Sequence, residues 1–249
     1  AEDGIRDRSP SRGLGDVYKR QNTESSLIED LMAIFNHNAI HTKIIWDANC
    51  CGMPKLELGD LKQVERAKNA NLPHLIEAVN EGYQIVSAIP SCVLMFKQEL
   101  PLMFPEQQEL TKIKDNFFDP FEYLMLHVKQ EKINLEFKHS LGKVSYHAAC
   151  HQRVQNVGAK TREFLCLIPG SEVDMIERCS GHDGTYAVRS ESYEKAMKIA
   201  RPVQRQVSEQ NADYVGSDCP MAGRLITHNL DTVEESVHPL TMVRHAYGI

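Results

Sequence analysis

The chain has 249 residues, of which 42% are hydrophobic and 25% are charged. This composition excludes a disordered chain, and the length suits one large domain or two modest ones. With 28 basic and 34 acidic residues the formal charge is −6, so no nucleic-acid partner is expected. No uncharged apolar run reaches the roughly 20 residues that span a bilayer, which predicts a soluble or peripheral protein.

Residues 1–21 form a polar, arginine-rich stretch without helical or strand periodicity. Two pieces of it, 1–7 and 11–21, resemble the translation of a common sequencing adapter. We therefore predict that this segment is not native, that it is a disordered and unpacked tail, and that native residues upstream of Asn22 are missing. Two domains are expected after it, at 22–138 and 139–249.

From Ser25 onwards the sequence alternates helical and strand patterns. Leu27, Leu31 and Ile34 recur at three- and four-residue spacings, which predicts the first helix. The next predicted elements are strands at 42–46 and 84–89 and helical segments at 59–82, 93–103 and 120–129. Pro73 lies inside the first of these helical segments and should interrupt or restart it.

The second half repeats this rhythm. Its predicted elements are strands at 143–146, 172–176 and 213–216 and helices at 161–167, 190–209, 220–228 and 239–247. Strands that alternate with helices build β-α-β units and parallel sheets. The sequence therefore predicts an α/β fold with two tandem pseudo-repeated domains, each a small parallel sheet flanked by helices.

The spacing of the cysteines indicates an internal duplication. Forty residues lie between Cys51 and Cys92, and 39 lie between Cys179 and Cys219. If Cys51 corresponds to Cys179 and Cys92 corresponds to Cys219, each residue of the first half has its counterpart 128 or 127 positions later.

This offset also predicts what each half lacks. Arg178 becomes the counterpart of Cys50, so the second half has no vicinal pair. The counterpart of Cys150 falls near position 22, which predicts that a first-half cysteine was lost with the missing native residues.

The seven cysteines are too few for a disulfide scaffold, and their odd number indicates reduced thiols in the cytoplasm. Cys50 and Cys51 precede Gly52 on a predicted turn at a strand end, where both thiols can face one site. Vicinal thiols suit a cluster with several irons, because neighbouring thiolates bind different metals. A buried apolar pair and a tetrahedral zinc site are the alternatives, although no CxxC pair typical of zinc occurs.

In the second half, three thiolates are available, from Cys150, Cys179 and Cys219. Three histidines lie beside them in the sequence: His147, His151 and His182. Each histidine is expected to donate hydrogen bonds around the site or to supply a fourth ligand. Cys166 lies in the apolar segment 164–168 and is predicted to be a small core residue.

Five short segments together carry a resemblance to a known family. They are Cys50-Cys51-Gly52-Met53-Pro54, Ile89-Pro90-Ser91-Cys92, Tyr146-His147-Ala148-Ala149-Cys150-His151, Cys179-Ser180-Gly181 and Ser217-Asp218-Cys219-Pro220-Met221-Ala222-Gly223. Over residues 22–249 the sequence resembles the CCG-type cysteine-rich domain proteins, which include the B subunit of heterodisulfide reductase and the glycolate oxidase iron–sulfur subunit. It looks most similar to the group that contains the C subunit of anaerobic glycerol-3-phosphate dehydrogenase.

The resemblance implies iron–sulfur clusters, typically [4Fe–4S], in both halves. The implied ligands are Cys50, Cys51 and Cys92 in the first repeat and Cys150, Cys179 and Cys219 in the second. It also implies an oxidoreductase subunit that carries electrons from a flavoprotein dehydrogenase subunit, which holds FAD, toward the quinone pool. Contact with that pool would be peripheral, at the inner face of the cell membrane.

The sequence departs from the full family pattern in three places. The first repeat lacks its leading cysteine, Cys92 and Cys219 do not begin CxxC pairs, and Arg178 stands in place of a vicinal cysteine. Two other functions therefore stay open. One is a heterodisulfide-reductase-like catalytic subunit that cleaves a disulfide at a cluster, and the other is a zinc-stabilised structural module.

Overall fold

The computed structural model describes residues 11–13, 25–184, 186–228, 230, 233 and 235–249. The chain divides into two compact units, Ala1–Asn134 and Leu135–Ile249, which we call the first and second unit. This division lies close to the domain boundary after residue 138 that the sequence suggested. Each unit contains a small parallel sheet among helices, which confirms the predicted α/β class.

The first unit contains a four-stranded parallel sheet. Its strands are β1 (Ser11–Gly13), β2 (Thr42–Ile44), β3 (Gln84–Val86) and β4 (Phe117–Phe118). The order across the sheet is β2-β1-β3-β4, so Ser11 pairs with Thr42 on one side and with Gln84 on the other. Because every pair is parallel, the carboxyl ends of β2 and β3 lie at one edge of the sheet.

Strand β1 lies inside the segment that the sequence predicted to be unpacked. Ser11–Gly13 pair with their neighbours in the sheet, and the rest of 1–21 lies outside the described residues, so the prediction for this segment as a whole stays a prediction. The strands β2 and β3 each need a partner for the backbone groups that face the centre of the sheet. A β-ladder uses only backbone groups, so three residues of almost any sequence can fill that central position.

The helices of the first unit surround this sheet. They are α1 (Ser25–His37), α2 (Met53–Glu57), α3 (Leu61–Asn80), α4 (Pro90–Leu94), α5 (Leu100–Met103), α6 (Gln108–Asp115) and α7 (Pro120–Lys129). A π-helical turn, Met95–Glu99, joins α4 to α5. Helix α7 begins with a capping box, in which the Asp119 side chain accepts from the amide of Glu122 and the Glu122 carboxylate accepts from the amide of Asp119.

The second unit is built in the same way. Its strands are β5 (Gly142–His147), β6 (Ser171–Ile176) and β7 (Tyr214–Ser217). Its helices are α8 (Cys150–Arg153), α9 (Lys160–Leu165), α10 (Ser190–Gln210), α11 (Pro220–Thr227) and α12 (Pro239–Tyr247). The order β6-β5-β7 repeats the order β2-β1-β3, which supports the predicted duplication.

Helix α3 passes through Pro73 without a break, so the predicted interruption is wrong. A proline inside a helix removes a hydrogen bond and costs roughly 3 kcal/mol. Leu75 and Val79, beyond the proline, are buried in the core, and their burial offsets this cost. Helix α10 likewise continues through Pro202. Among the described residues, no helix combines the length and the apolar character needed to cross a bilayer.

Candidate functional site

The first group of thiols lies at the carboxyl edge of the first sheet. Cys50 and Cys51 follow β2 and precede α2, and Cys92 lies in the first turn of α4, just after β3. The Cys51 side chain hydrogen-bonds to the thiols of both Cys50 and Cys92. Cys51 and Cys92 are fully buried, whereas Cys50 is half-buried. The structure therefore brings these three predicted residues together.

The surroundings of Cys51 favour its neutral thiol. Contact with Cys50 lowers the pKa of Cys51, but contact with Cys92 and burial outweigh it and raise that pKa well above its usual value. A thiol in such a place releases its proton when a metal cation takes the proton's position. The neutral thiol of Cys51 is a weak nucleophile, so this residue is poorly suited to attack on an external substrate.

Gly52 shapes the turn that carries the vicinal thiols. Its φ of 93° lies in the left-handed region that favours glycine. A Cβ on Gly52 would lie 3.3 Å from the Cβ of Ala67 and 3.6 Å from the Cα of Val64, both on α3. The turn therefore runs directly against α3.

The second group of thiols lies at the carboxyl edge of the second sheet. Cys150 begins α8 after β5, Cys179 follows β6, and Cys219 follows β7 immediately before α11. Desolvation of its sulfur raises the pKa of Cys150, and the nearby thiols of Cys179 and Cys219 raise it further. Cys150 and Cys179 are nevertheless exposed residues and Cys219 is half-buried, so this group is shallower than the first.

The backbone after Cys179 is directed at its sulfur. The amide of Gly181 donates to the Sγ of Cys179 at 3.4 Å. Gly181 has a φ of 81°, and a Cβ there would overlap the carbonyl oxygen of Ala196 on α10. Glycine is therefore required for both the backbone conformation and the close approach to the helix.

A chain of hydrogen bonds joins the turns that carry Cys179 and Cys219. The buried His147 donates from Nε2 to the carbonyl oxygen of Arg178 at 2.8 Å and accepts at Nδ1 from the Ser217 hydroxyl at 3.0 Å. The amide of Cys219 donates to the same Ser217 oxygen at 3.3 Å. Burial lowers the pKa of His147, so the ring is neutral and can make both bonds. The roles predicted for the other two neighbouring histidines stay predictions.

A buried carboxyl group lies next to Cys219. Asp218 accepts hydrogen bonds from the hydroxyls of Tyr146 and Thr161, the latter at 2.9 Å. The Gln152 side chain lies within hydrogen-bonding distance of both hydroxyls, at 2.7 and 2.9 Å. Burial raises the pKa of Asp218 to about 6. This network, which the sequence did not reveal, ties the segment before α11 to β5 and α8.

Two pairs of corresponding residues in the two units show that the predicted sequence offset between the repeats is wrong. Gly52 and Gly181 both have a left-handed φ, and both lie against the long helix of their unit. The prolines inside those helices are Pro73 and Pro202. Both pairs are separated by 129 positions, so the offset is 129 in this region rather than 127 or 128.

At this offset the counterpart of Cys50 is Cys179 and the counterpart of Cys51 is Ser180. The prediction that Arg178 replaces a vicinal cysteine is therefore wrong. Only 2% of Ser180 is exposed, which matches the full burial of Cys51. The second unit lacks a vicinal pair because a serine occupies the buried position.

Cys92 and Cys219 are not counterparts either. Helices α4 and α11 begin with Pro90 and Pro220. Cys219 is the N-cap residue before its helix, a position that Ile89 fills in the first unit, whereas Cys92 is the third residue of its helix. Residues three apart at a helix start lie on the same face. The two units thus place a cysteine at different positions of the corresponding helix start.

Cys166 is exposed, so the prediction that it belongs to the core is wrong. It follows the last residue of α9. Its neighbours Phe164 and Leu165 are buried, and a further rotation of about 100° around the helix axis turns the next side chain to solvent.

Among the described residues, no three His, Cys, Asp or Glu side chains surround a point that one metal ion could occupy. In a cluster each thiolate binds a different iron, so the ligands do not converge on one point. The predicted counterpart of Cys150, near position 22, lies outside the described residues.

Comparison with known proteins agrees with the division into two units. The chain matches the CCG cysteine-rich domain at residues 18–97 and 144–222, once in each unit. It is 26% identical over 220 residues to the C subunit of anaerobic glycerol-3-phosphate dehydrogenase from Escherichia coli K12, covering 88% of this chain and 54% of that protein. It is 31% identical over 182 residues to lactate utilization protein A of Lysinibacillus sphaericus, covering 71% of this chain and 76% of that protein.

The chain thus spans about half the length of the dehydrogenase subunit that it matches. The two matched regions together cover more than half of this chain. The chain belongs to the CCG cysteine-rich domain family and contains two tandem copies of that domain.

Proposed function

We propose that this chain is an iron–sulfur subunit of a flavin-linked dehydrogenase and that it carries electrons toward a quinone. One observation carries the proposal: each unit gathers three cysteines, from segments far apart in the sequence, at the carboxyl edge of its parallel sheet. The name of one relative, which is a subunit of a dehydrogenase, supports the same class of function.

The proposed ligands form one group in each unit. They are Cys50, Cys51 and Cys92 in the first and Cys150, Cys179 and Cys219 in the second. A bound cluster would supply one-electron chemistry, with a potential that depends on burial and on hydrogen bonds to its sulfurs. Burial of two thiols keeps water from the first group, and the amide of Gly181 and the ring of His147 order the second.

The oxidation of substrate would belong to a separate flavoprotein subunit that holds FAD. This chain would receive electrons from that partner and pass them on through peripheral contact with the membrane that contains the quinone. The relatives' names do not state the acceptor, so the quinone belongs to the proposal.

Metal analysis of the full chain tests the proposal. After anaerobic purification, we expect bound iron and acid-labile sulfide, with little zinc. Cys166→Ala is the control, because this exposed cysteine lies outside both groups and its loss should leave the iron and sulfide content unchanged. Zinc without acid-labile sulfide would contradict the proposal and support a structural zinc module.

The contact between Cys50 and Cys51 favours a second candidate function. A vicinal pair at a cluster is compatible with a heterodisulfide-reductase-like subunit that cleaves a disulfide. The reduced chain, incubated with a disulfide substrate in the absence of any flavoprotein, distinguishes the two. Turnover would support the catalytic subunit, whereas oxidation that requires the flavoprotein would support the electron carrier.

A further inference from the structure

A buried asparagine holds the turn that carries the vicinal thiols. Asn71 lies within α3, and only 1% of its surface is exposed. Its Oδ1 accepts from the amide of Asn49 at 2.8 Å, and its Nδ2 donates to the carbonyl oxygen of Cys50 at 3.1 Å. The same Nδ2 donates to the carbonyl oxygen of Ala67 at 2.9 Å, one helical turn back, which fixes the orientation of the amide.

Helix α3 also holds the turn on the other side of Cys51. Gly52 lies against Ala67, as described above, while Cys50 is bonded to Asn71. Both neighbours of Cys51 are therefore fixed to one helix. With its backbone held in this way, the Cys51 side chain is directed toward Cys92.

The second unit has no such asparagine. At the offset of 129, the buried Ala200 of α10 occupies the position of Asn71. There the residue before the first thiol, Arg178, is held by the ring of His147 instead. A buried asparagine inside a helix is unfavourable, because its side chain competes with the backbone for hydrogen bonds. Helix α3 of the first unit, whose turn carries the buried Cys51, contains this unfavourable asparagine, whereas α10 of the second unit does not.

We infer that Asn71 is a positioning residue for Cys51. By fixing the backbone of the two residues before Cys51, it orients that buried thiol onto Cys92. It acts through the backbone, since its side-chain oxygen and nitrogen both bond to backbone groups. The inference concerns the metal-free chain, so it does not depend on the proposed function.

Alkylation of the metal-free full chain with iodoacetamide, followed residue by residue with mass spectrometry, tests the inference. In Asn71→Ala we expect the rate at Cys51, relative to the rate at Cys92, to rise about tenfold, because two buried hydrogen bonds that close the turn are lost. General unfolding would expose both thiols alike and leave the ratio unchanged. The ratio therefore separates positioning from stability.

Asn38 offers a matched control in the same unit. It is also buried, its Nδ2 donates to the carbonyl oxygen of Ile34 at 2.8 Å, and its Oδ1 accepts from the amide of Asn134 at 2.7 Å. Asn38→Ala thus removes a comparable set of bonds away from the thiols. We expect a similar loss of stability without a change in the alkylation ratio.

Asn71→Asp keeps the acceptor for the amide of Asn49 and removes the donor to Cys50, so its ratio should lie between those of the parent chain and Asn71→Ala. If Asn71→Ala does not fold, the alkylation ratio of Asn71→Asp tests the inference instead. An unchanged ratio in the folded Asn71 variants, or an equal rise in Asn38→Ala, would overturn the inference. Because the assay contains no metal, a failure of the iron–sulfur proposal would not produce either result.

Discussion

The two units share one scaffold but differ in the depth at which their thiols lie. The sheets have the same strand order, and the long helices contain prolines at matching positions. In the first unit Cys51 and Cys92 are fully buried, whereas in the second Cys150 and Cys179 are exposed. A common fold therefore presents two chemically different groups of cysteines.

Two positions account for much of this difference. Ser180 stands where the first unit has Cys51, and Ala222 stands where it has Cys92 when the two helices are matched at their first prolines. Both replacements are buried, like the cysteines they match. The fold therefore buries both positions in each unit, and the residue at each position determines whether a thiol is present there.

The largest expected effect comes from removing the buried thiol of the first turn. Cys51→Ala should abolish iron binding by the first unit and leave the iron of the second unit in place. Ser180→Ala, at the matching buried position, should preserve both. Iron and sulfide analysis after anaerobic reconstitution, with electron paramagnetic resonance spectra, checks this. Equal loss of both signals in folded Cys51→Ala would show that the two groups are not independent.

The matched glycines should differ in their tolerance of a side chain. Gly181→Ala places a Cβ onto the carbonyl oxygen of Ala196 at a positive φ, and we expect it to lower the free energy of unfolding by about 3 kcal/mol or more. Gly52→Ala meets the Cβ of Ala67 at 3.3 Å and should cost about 1–2 kcal/mol, mainly through its φ. Urea denaturation measures both, and the reverse order would contradict the close approach to α10.

Two buried histidines, one in each unit, are expected to affect stability in opposite directions and to make it depend on pH. Nδ1 of His127 has no hydrogen-bond partner among the described residues, whereas both nitrogens of His147 are bonded. At pH 8 we expect His127→Phe to raise the free energy of unfolding by about 1 kcal/mol and His147→Phe to lower it by about 2 kcal/mol.

Burial lowers the pKa of both histidines below the ordinary value of 6.5. The unfolded chain therefore binds their protons more readily, and stability falls as the pH drops below about 6.5. Each phenylalanine variant lacks one of these two titrating histidines, so its free energy of unfolding should fall less than that of the parent chain between pH 7 and pH 5. Urea titrations at both pH values test this, and an equal loss in the parent chain and His127→Phe would contradict it.

Hydrophobic periodicity was enough to predict most of the alternating elements and the turn at a strand end that carries Cys50 and Cys51. It failed at Pro73, because the burial of residues beyond the proline outweighs a local helix-breaking preference that the sequence shows plainly. The spacing of the cysteines gave the wrong offset between the repeats. Cys92 and Cys219 have similar spacings from the cysteines before them, yet one lies inside a helix and the other precedes one.

The residues that hold the site were harder to find. Asn71 bonds to a backbone amide 22 residues away, and Tyr146 bonds to Asp218 across 72 residues, so only the folded chain brings them together. The sequence contains one indication of the role of Asn71. Asparagine has a low helix propensity, so its presence in the middle of a helical pattern suggests that its side chain makes a specific contact. Nothing comparable marks Ser217, whose hydroxyl joins His147 to the turn before α11.

The central place of β1 has a consequence for the first group of thiols. The segments that carry Cys50 and Cys92 leave the sheet from β2 and β3, which pair with Ser11–Gly13 and not with each other. Strand β1 therefore sets the separation of those segments. Without β1, the facing edges of β2 and β3 would be open, and open strand edges are prone to pair with other chains.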